Sequence, residues 1–471
     1  MKRPIKILVW GDSPAASTGF GTVVKGIFKP LAESGDYQID IIGINDTGDW
    51  KDPKEHPYRI FPARQLITSE DFFGRPRLIS ALMGNDKFLK PPWDIVFTLN
   101  DPFILEQPIE VFNKGTMVIL KDVQAAYKVK VDPINWFKIV SYWPIDSHVK
   151  GNWIEQAISL PDVSVAYTEY GKREILKSNS HLDAPHENLN DSLPVIYHGV
   201  NTNVFKRLPK EETAAFRKKY FREKLREETF LVGAVARNQM RKDLPRTMMI
   251  YKEFQKRRPD SFLYLHSKPY DAWGSILEYA REIDLIQEKD FAFPAKFSEN
   301  VGFPVESLNK IYNSMDCLVS TSHGEGFGLP IIESMAAQVL NFAPQHTAIP
   351  ELFNTTGLPI DDMDELIKHD IRGIPIKNYS TKSEWVTYGP QDLERIRPLV
   401  NVEDFVKKLV WAYDHPVESA KIAERGKKWA EQFTWERIAS EWDKLFVSTF
   451  KQLEEERKVP PIKTEDVNKK V

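Results

Sequence analysis

Short apolar runs separated by amphipathic stretches recur along the whole chain. In the first half they are "IKILVW", "QIDIIGI", "WDIVFTL", "TMVILK", "KIVSYW", "VSVAYT" and "PVIYHGV". Runs of this kind, rich in β-branched and aromatic residues and interrupted by helical patterns, predict parallel strands covered on both faces. The second half repeats the rhythm with "FLVGAVAR", "SFLYLHS", "FAFPA", "DCLVST" and "VLNFAP", and helices such as 244–257 fall between them. Two α/β domains in tandem follow. The join is placed just after "VIYHGVNTNVF", where the polar segment "KRLPKEETAAFRKKYFREKLREE" begins. Its acids and bases alternate at helical spacing, which reads as a solvated helix face and not as a nucleic-acid patch. The last stretch, "EEERKVPPIKTEDVNKKV", carries two prolines and no apolar face, so a frayed tail is expected.

Length and composition agree with this reading. A chain of 471 residues is too long for one hydrophobic core, and 42% hydrophobic with 28% charged residues describes a folded protein, not a disordered one. The formal net charge of -3 supplies no overall field for nucleic acid or anionic membrane and leaves room for a local basic patch. The single cysteine, Cys317, lies in "MDCLVS". It excludes an intrachain disulfide and a thiol cluster for zinc, and it reads as core filler in a protein of the reducing cytoplasm. The opening "MKRPIKILVWGD" is too short in its apolar part for a signal peptide and reads as a buried strand. No run approaches a membrane span. The basic-aromatic stretch "FFGRPRLISALMGNDKFLKPPW" is explained by core and loop packing more cheaply than by membrane contact.

The chemistry concentrates in "STSHGEGFGLPIIESMA", residues 320–336. "DCLVST" before it reads as a strand and "PIIESMAAQVL" as a helix, so the glycine loop sits at the carboxyl end of a parallel strand, where open α/β sheets bind ligands. Pro330 suits a first helical position, and Gly324, Gly326 and Gly328 open backbone conformations closed to other residues. Amides and the positive end of the helix then face the mouth of the sheet, ready for phosphate. Ile331, Ile332, Met335, Ala336 and Val339 form the buried stripe and place Glu333 on its flank, while Glu325 lies in the loop eight positions earlier. A second cluster, "GAVARNQMRKDLP", brings Arg237 and Lys242, with Arg241 between them, to the end of the second domain's first strand. A third glycine-bearing turn, "WGDSPAASTGFGTVVKGIF", follows the first strand and does not fit the G-x-G-x-x-G dinucleotide fingerprint. "DDMD", 361–364, reads as a helix start and not as a metal motif.

The segment "HGEGFGLPIIESMA" resembles the E-x7-E signature of the retaining GT-B glycosyltransferases, the family that includes glycogen and sucrose synthases. That resemblance implies an α/β GT-B fold, two Rossmann-like domains facing each other across a cleft. It places an acceptor domain at 1–200, a nucleotide-sugar domain at 201–433, a crossover helix near 434–455 in "FTWERIASEWDKLF", and the tail from 456. It assigns Glu325 to the transferred sugar, the amides of Gly326, Phe327, Gly328 and Leu329 to sugar and diphosphate, and Glu333 to ribose hydroxyls. Arg237 and Lys242 would hold the diphosphate in place of a metal, Gly19 and Gly21 would let backbone approach the phosphates and acceptor, and Thr347 in "QHTAIPELF" would help bind the donor. Many relatives carry a sugar-contacting histidine after "SYWPIDS"; here Asp146 is the nearest polar group, and His148 and His198 read as structural.

The implied reaction is metal-independent transfer of a sugar, with retained configuration, from a nucleotide sugar to an acceptor hydroxyl. A UDP-sugar is the first choice of donor, ahead of GDP- or ADP-sugars. The acceptor stays open among saccharides, lipids, proteins and small molecules. "GDSPAASTGFGTV" and "YNSMDCLVSTSHGEGFGLP" are similar to stand-alone enzymes of large phages, some of which glycosylate hydroxymethylated bases, so DNA is an alternative acceptor. A sugar-nucleotide epimerase and a non-catalytic nucleotide-sugar-binding protein are the rival functions, and a dehydrogenase is weaker still, because the N-terminal glycine spacing is wrong and no ribose-binding acid is evident at the expected distance.

Overall fold

The computed structural model describes residues 3–64, 71–110, 112–221, 225–271, 274–294, 303–387 and 395–458. The chain divides into two compact units, Met1–Gly199 with Trp435–Val471, and Val200–Thr434.

The first unit is built on six parallel strands: β1 (Ile5–Asp12), β2 (Tyr37–Ile44), β3 (Arg59–Pro62), β4 (Ile95–Thr98), β5 (Lys138–Trp143) and β6 (Val163–Ala166). Their order is β3-β2-β1-β4-β5-β6, so the winding reverses between β1 and β4. Apolar runs without alternation are what a sheet covered on both faces requires, and Ile7, Leu8, Val9 and Trp10 are fully buried. The helix Gly19–Ser34 is started by Thr18, whose hydroxyl accepts the Gly21 N–H at 3.0 Å. It must carry glycine at position 26, because a Cβ there would sit 2.2 Å from the ring of Trp435. Trp435 opens the last helix, Trp435–Arg457, which returns to this unit and packs Trp442 and Phe446 on Phe97 at ring separations of 5.3 and 6.0 Å.

The second unit repeats the plan with β7 (Phe230–Val235), β8 (Ser261–His266), β9 (Phe291–Ala292), β10 (Cys317–Val319), β11 (Leu340–Pro344) and β12 (Ile374–Ile376), all parallel. The order β9-β8-β7-β10-β11-β12 again reverses beside the first strand of the unit. β10 is held between β7 and β11 with Cys317 fully buried, so whatever follows Val319 emerges at the carboxyl edge of the sheet, next to the reversal.

Several sequence expectations change. "TMVILK" is not a strand but the first turns of the helix Thr116–Lys130. "PVIYHGV" forms only isolated bridges, Ala166 to Val195 and Val200 to Thr434. The helix begun at Leu329 stops at Ala336, because Gln338 turns left-handed at φ 61° and Leu340 already belongs to β11. The helix expected over 244–257 runs from Leu244 to Gln255. The last helix continues to Arg457, past the point where the tail was expected; residues 459–471 lie outside the described residues. Asp362 does cap the short helix Met363–Leu366, accepting the Asp364 N–H at 2.8 Å. Among the described residues no helix is long and apolar enough to cross a membrane.

Candidate functional site

Two loops meet at the carboxyl edge of the second sheet. One leaves β10 and runs from Ser320 to Gly328; the other leaves β7 and closes in the 3-10 turn Met240–Lys242. Gly328 adopts φ 96°, a left-handed conformation that favours glycine, and from it the chain enters the helix Leu329–Ala336 with Pro330 at its second position. Phe327, within the loop, is buried.

The loops are joined by their side chains. Lys242 Nζ donates to Glu325 Oε1, and the Arg241 guanidinium lies 3.9 Å from Glu325 Oε2. Arg241 also donates to the Gly324 carbonyl at 2.9 Å. Burial alone would raise the Glu325 pKa, but the charges of Lys242 and Arg241 outweigh it and hold the carboxyl below its ordinary range. Two cations therefore face one carboxylate. A pocket here is lined by Ala234, Lys242, Thr247, Glu325, Gly328 and Pro330, so the Lys242 cation, the carboxylate and the helix start face one recess.

Thr347 supports the same point from the loop after β11. Its hydroxyl accepts the Glu325 N–H at 3.1 Å and donates to the His346 carbonyl at 2.8 Å, while its backbone stands at φ 54°, rare for a β-branched residue. Glu333, on the flank of the helix, accepts from the Tyr312 hydroxyl at 2.9 Å. Burial pushes its pKa up to about 7, and that hydrogen bond only partly offsets the rise.

Arg237 stands apart from this group. Its Nε donates to Asp271 Oδ2 at 3.2 Å, and its side chain is 61% exposed. It is Arg241, given no role in the sequence reading, that approaches Glu325 together with Lys242. Asp243, Tyr312 and His323 also belong to the site and were not anticipated. Asp243 had a local signal in "DLP", an acid directly before a helix start with proline; its partner 80 residues away had none.

In the first unit, Gly19 is the exposed first residue of its helix. Gly21 is demanded by the turn itself, since a Cβ would lie 2.6 Å from the carbonyl oxygens of Ser13 and Ala16. Asp146 is half-buried just beyond β5. His148 is exposed and pairs with Glu174 at 2.7 Å, and His198 is buried beside the Tyr142 hydroxyl at 3.1 Å. Asp12, at the end of β1, is a buried carboxyl that accepts from Thr18 and, at 3.3 Å, from Asn45; burial raises its pKa.

Residues 286–372 match the family model described as Glycosyl transferases group 1. The chain is similar in structure to sucrose-phosphate synthase from Thermosynechococcus elongatus, with a TM-score of 0.64 and 16% identity over 96% of this chain and 100% of that one. It is also similar to HepE of Anabaena in complex with UDP (TM-score 0.59, 14% identity, 94% and 100% covered). A third similar structure is the catalytic domain of starch synthase IV from Arabidopsis thaliana bound to ADP and acarbose (TM-score 0.58, 12% identity, 96% and 100% covered). The two Rossmann-like sheets are those of the GT-B fold. Comparison with curated protein sequences gives no match.

Proposed function

We propose that the chain is a retaining, metal-independent glycosyltransferase that moves a sugar from a nucleotide sugar to an acceptor hydroxyl. The observation that carries this reading is the gathering of Lys242 and Arg241 on the Glu325 carboxylate where the helix Leu329–Ala336 begins. A sugar nucleotide leaves as a diphosphate, and its growing charge needs preorganised cations and amide dipoles. Lys242, Arg241 and the amides of Gly326 to Leu329 supply them, and Arg237 adds a second guanidinium on the outer side. Glu325 orients the sugar and offsets positive charge at the anomeric carbon. The acceptor attacks from the face the diphosphate leaves, and the departing phosphate takes its proton.

Glu333 binds ribose hydroxyls, and the donor is a UDP-sugar; the UDP in HepE and the ADP in starch synthase IV belong to those proteins and support a nucleoside diphosphate of some kind here. On the first unit, Asp146 and the turn bearing Gly19 and Gly21 take acceptor-side and phosphate roles. The test is nucleotide release from UDP-, GDP- and ADP-sugars, with simple glycosides and DNA bearing hydroxymethylated bases as acceptors. Anomeric configuration is read by NMR of the product. Release from one donor, abolished in Glu325→Ala, is expected. No release from any donor, or equal release by the variant, overturns the reading.

A further inference from the structure

We propose that Asp243 and His323 form a clasp that fixes the cation-bearing turn of residues 241–242 against the loop carrying Glu325, and that both are positioning residues for the transfer step. The inference rests on the donor-site reading of Glu325 and Lys242 given above.

The clasp is a side-chain bond between residues far apart in the chain. His323 is buried, and its Nε2 lies 2.8 Å from Asp243 Oδ2. Asp243 directly follows Lys242, and His323 stands two residues before Glu325, so the bond ties down the ends of both loops. Neighbouring contacts fix the register. The His323 N–H donates to the Arg241 carbonyl at 2.7 Å, and the Thr321 hydroxyl lies 2.8 Å from the Asp243 carbonyl and 2.7 Å from the Thr247 hydroxyl. With the backbones sewn together here, the Lys242 ammonium has a defined place relative to the Glu325 carboxylate. A misplacement on the order of 1 Å at such a pair can cost about a hundredfold in rate.

The backbone of Asp243 supports a purpose beyond stability. It stands at φ 46°, a left-handed conformation that costs an L residue on the order of 1 kcal/mol and that glycine would take without strain. Asp243 also caps the helix Leu244–Gln255 through the Arg246 N–H at 3.2 Å and pairs with Arg246 Nε at 2.8 Å. Glycine is itself a tolerable cap, weaker than Asp by only a few tenths of a kcal/mol. A glycine at 243 would therefore serve the backbone turn and the cap about as well as aspartate, and what it could not supply is the carboxylate shared by His323 and Arg246. The state of that carboxyl agrees: burial would raise its pKa, but the hydrogen bond to His323 and the charge of Arg246 hold it below the ordinary range. An ionised carboxylate only accepts, so the His323 Nε2 carries the hydrogen and donates.

Asp243→Gly, His323→Ala and His323→Gln in the full chain separate positioning from folding. Glutamine can place an amide N–H where Nε2 stands. Hydrogen–deuterium exchange of the peptide covering 321–328 is expected to rise roughly tenfold in D243G and H323A and to stay near wild type in H323Q. D243G is expected to stay cooperatively folded, with a denaturant midpoint lowered only modestly because relief at φ 46° offsets part of the lost His323 and Arg246 bonds. In nucleotide release, D243G and H323A are expected to lose about ten- to a hundredfold in kcat, with nucleoside diphosphate affinity changed less than about threefold. Unchanged exchange in a folded D243G, or H323Q as damaged as H323A, overturns the clasp. If wild type releases no nucleotide from any donor while the exchange pattern holds, the glycosyltransferase reading fails and the clasp stands.

Discussion

Glu325→Gln separates the two effects assigned to this side chain, because the amide keeps its shape and removes its charge. In the native loops Lys242 and Arg241 face one carboxylate, the guanidinium at 3.9 Å. At that distance a unit charge pair is worth about 4 kcal/mol for an effective dielectric constant of about 20. The Arg241 side chain is 31% exposed, and solvent screening reduces the net attraction to about 1–2 kcal/mol. On the proposed reading, an incoming diphosphate competes with Glu325 for these cations. Removing the competitor should therefore tighten nucleoside diphosphate binding by roughly tenfold, or about 1.4 kcal/mol. Turnover moves the opposite way. Without a carboxylate to offset charge at the anomeric carbon, kcat should fall by about a hundredfold to a thousandfold. Two cations left beside each other should also lower stability, by about 1–3 kcal/mol given their partial solvation. Isothermal titration with UDP, nucleotide release and urea unfolding on one preparation check all three. If folded E325Q binds the diphosphate more weakly than wild type, Lys242 and Arg241 are not diphosphate ligands; if its turnover stays within roughly fivefold, Glu325 has no part in transfer.

Glu333 gives a pH prediction. Its pKa rises from 4.5 to about 7, so between those values the folded chain holds a proton the unfolded chain has lost, and stability falls as pH rises through the window and levels off above it. Glu333→Gln should remove that slope, gaining about 2 kcal/mol near pH 8 by urea unfolding after allowance for solvent reach, while weakening nucleotide affinity by about tenfold. Thr347→Gly relieves the strain at φ 54° and loses the hydroxyl that accepts the Glu325 N–H, so unfolding free energy should stay within about 1 kcal/mol while kcat falls by roughly tenfold. Gly26→Ala forces a methyl to within 2.2 Å of the Trp435 ring and should cost about 3 kcal/mol; adding Trp435→Ala should make the pair less destabilised than the sum of the two single changes, as a double-mutant cycle in urea will report.

What could be read in advance follows from how local each determinant is. Strand and helix alternation is written in short windows, and the glycine loop, Pro330 and the flanking glutamates are neighbours in sequence. "TMVILK" failed for the same reason: four consecutive apolar residues, 117–120, fit a buried strand or a buried helix equally well. Only the longer span decides it, because Met117, Leu120 and Gln124 are buried at helical spacing while Asp122, Ala125 and Ala126 are exposed. The site shows the limit most sharply at the cations. Their place at a strand end and the family resemblance named Arg237 and Lys242, but the 3-10 turn Met240–Lys242 swings consecutive residues 241 and 242 toward Glu325 and leaves Arg237 to Asp271. That turn is held by Asp243 against His323, a bond between loops whose sequences carry no mark of each other. The cations gathered on Glu325 were thus legible as chemical types near strand ends, whereas the choice among them depends on a tertiary contact that exists only once β7 and β10 lie side by side.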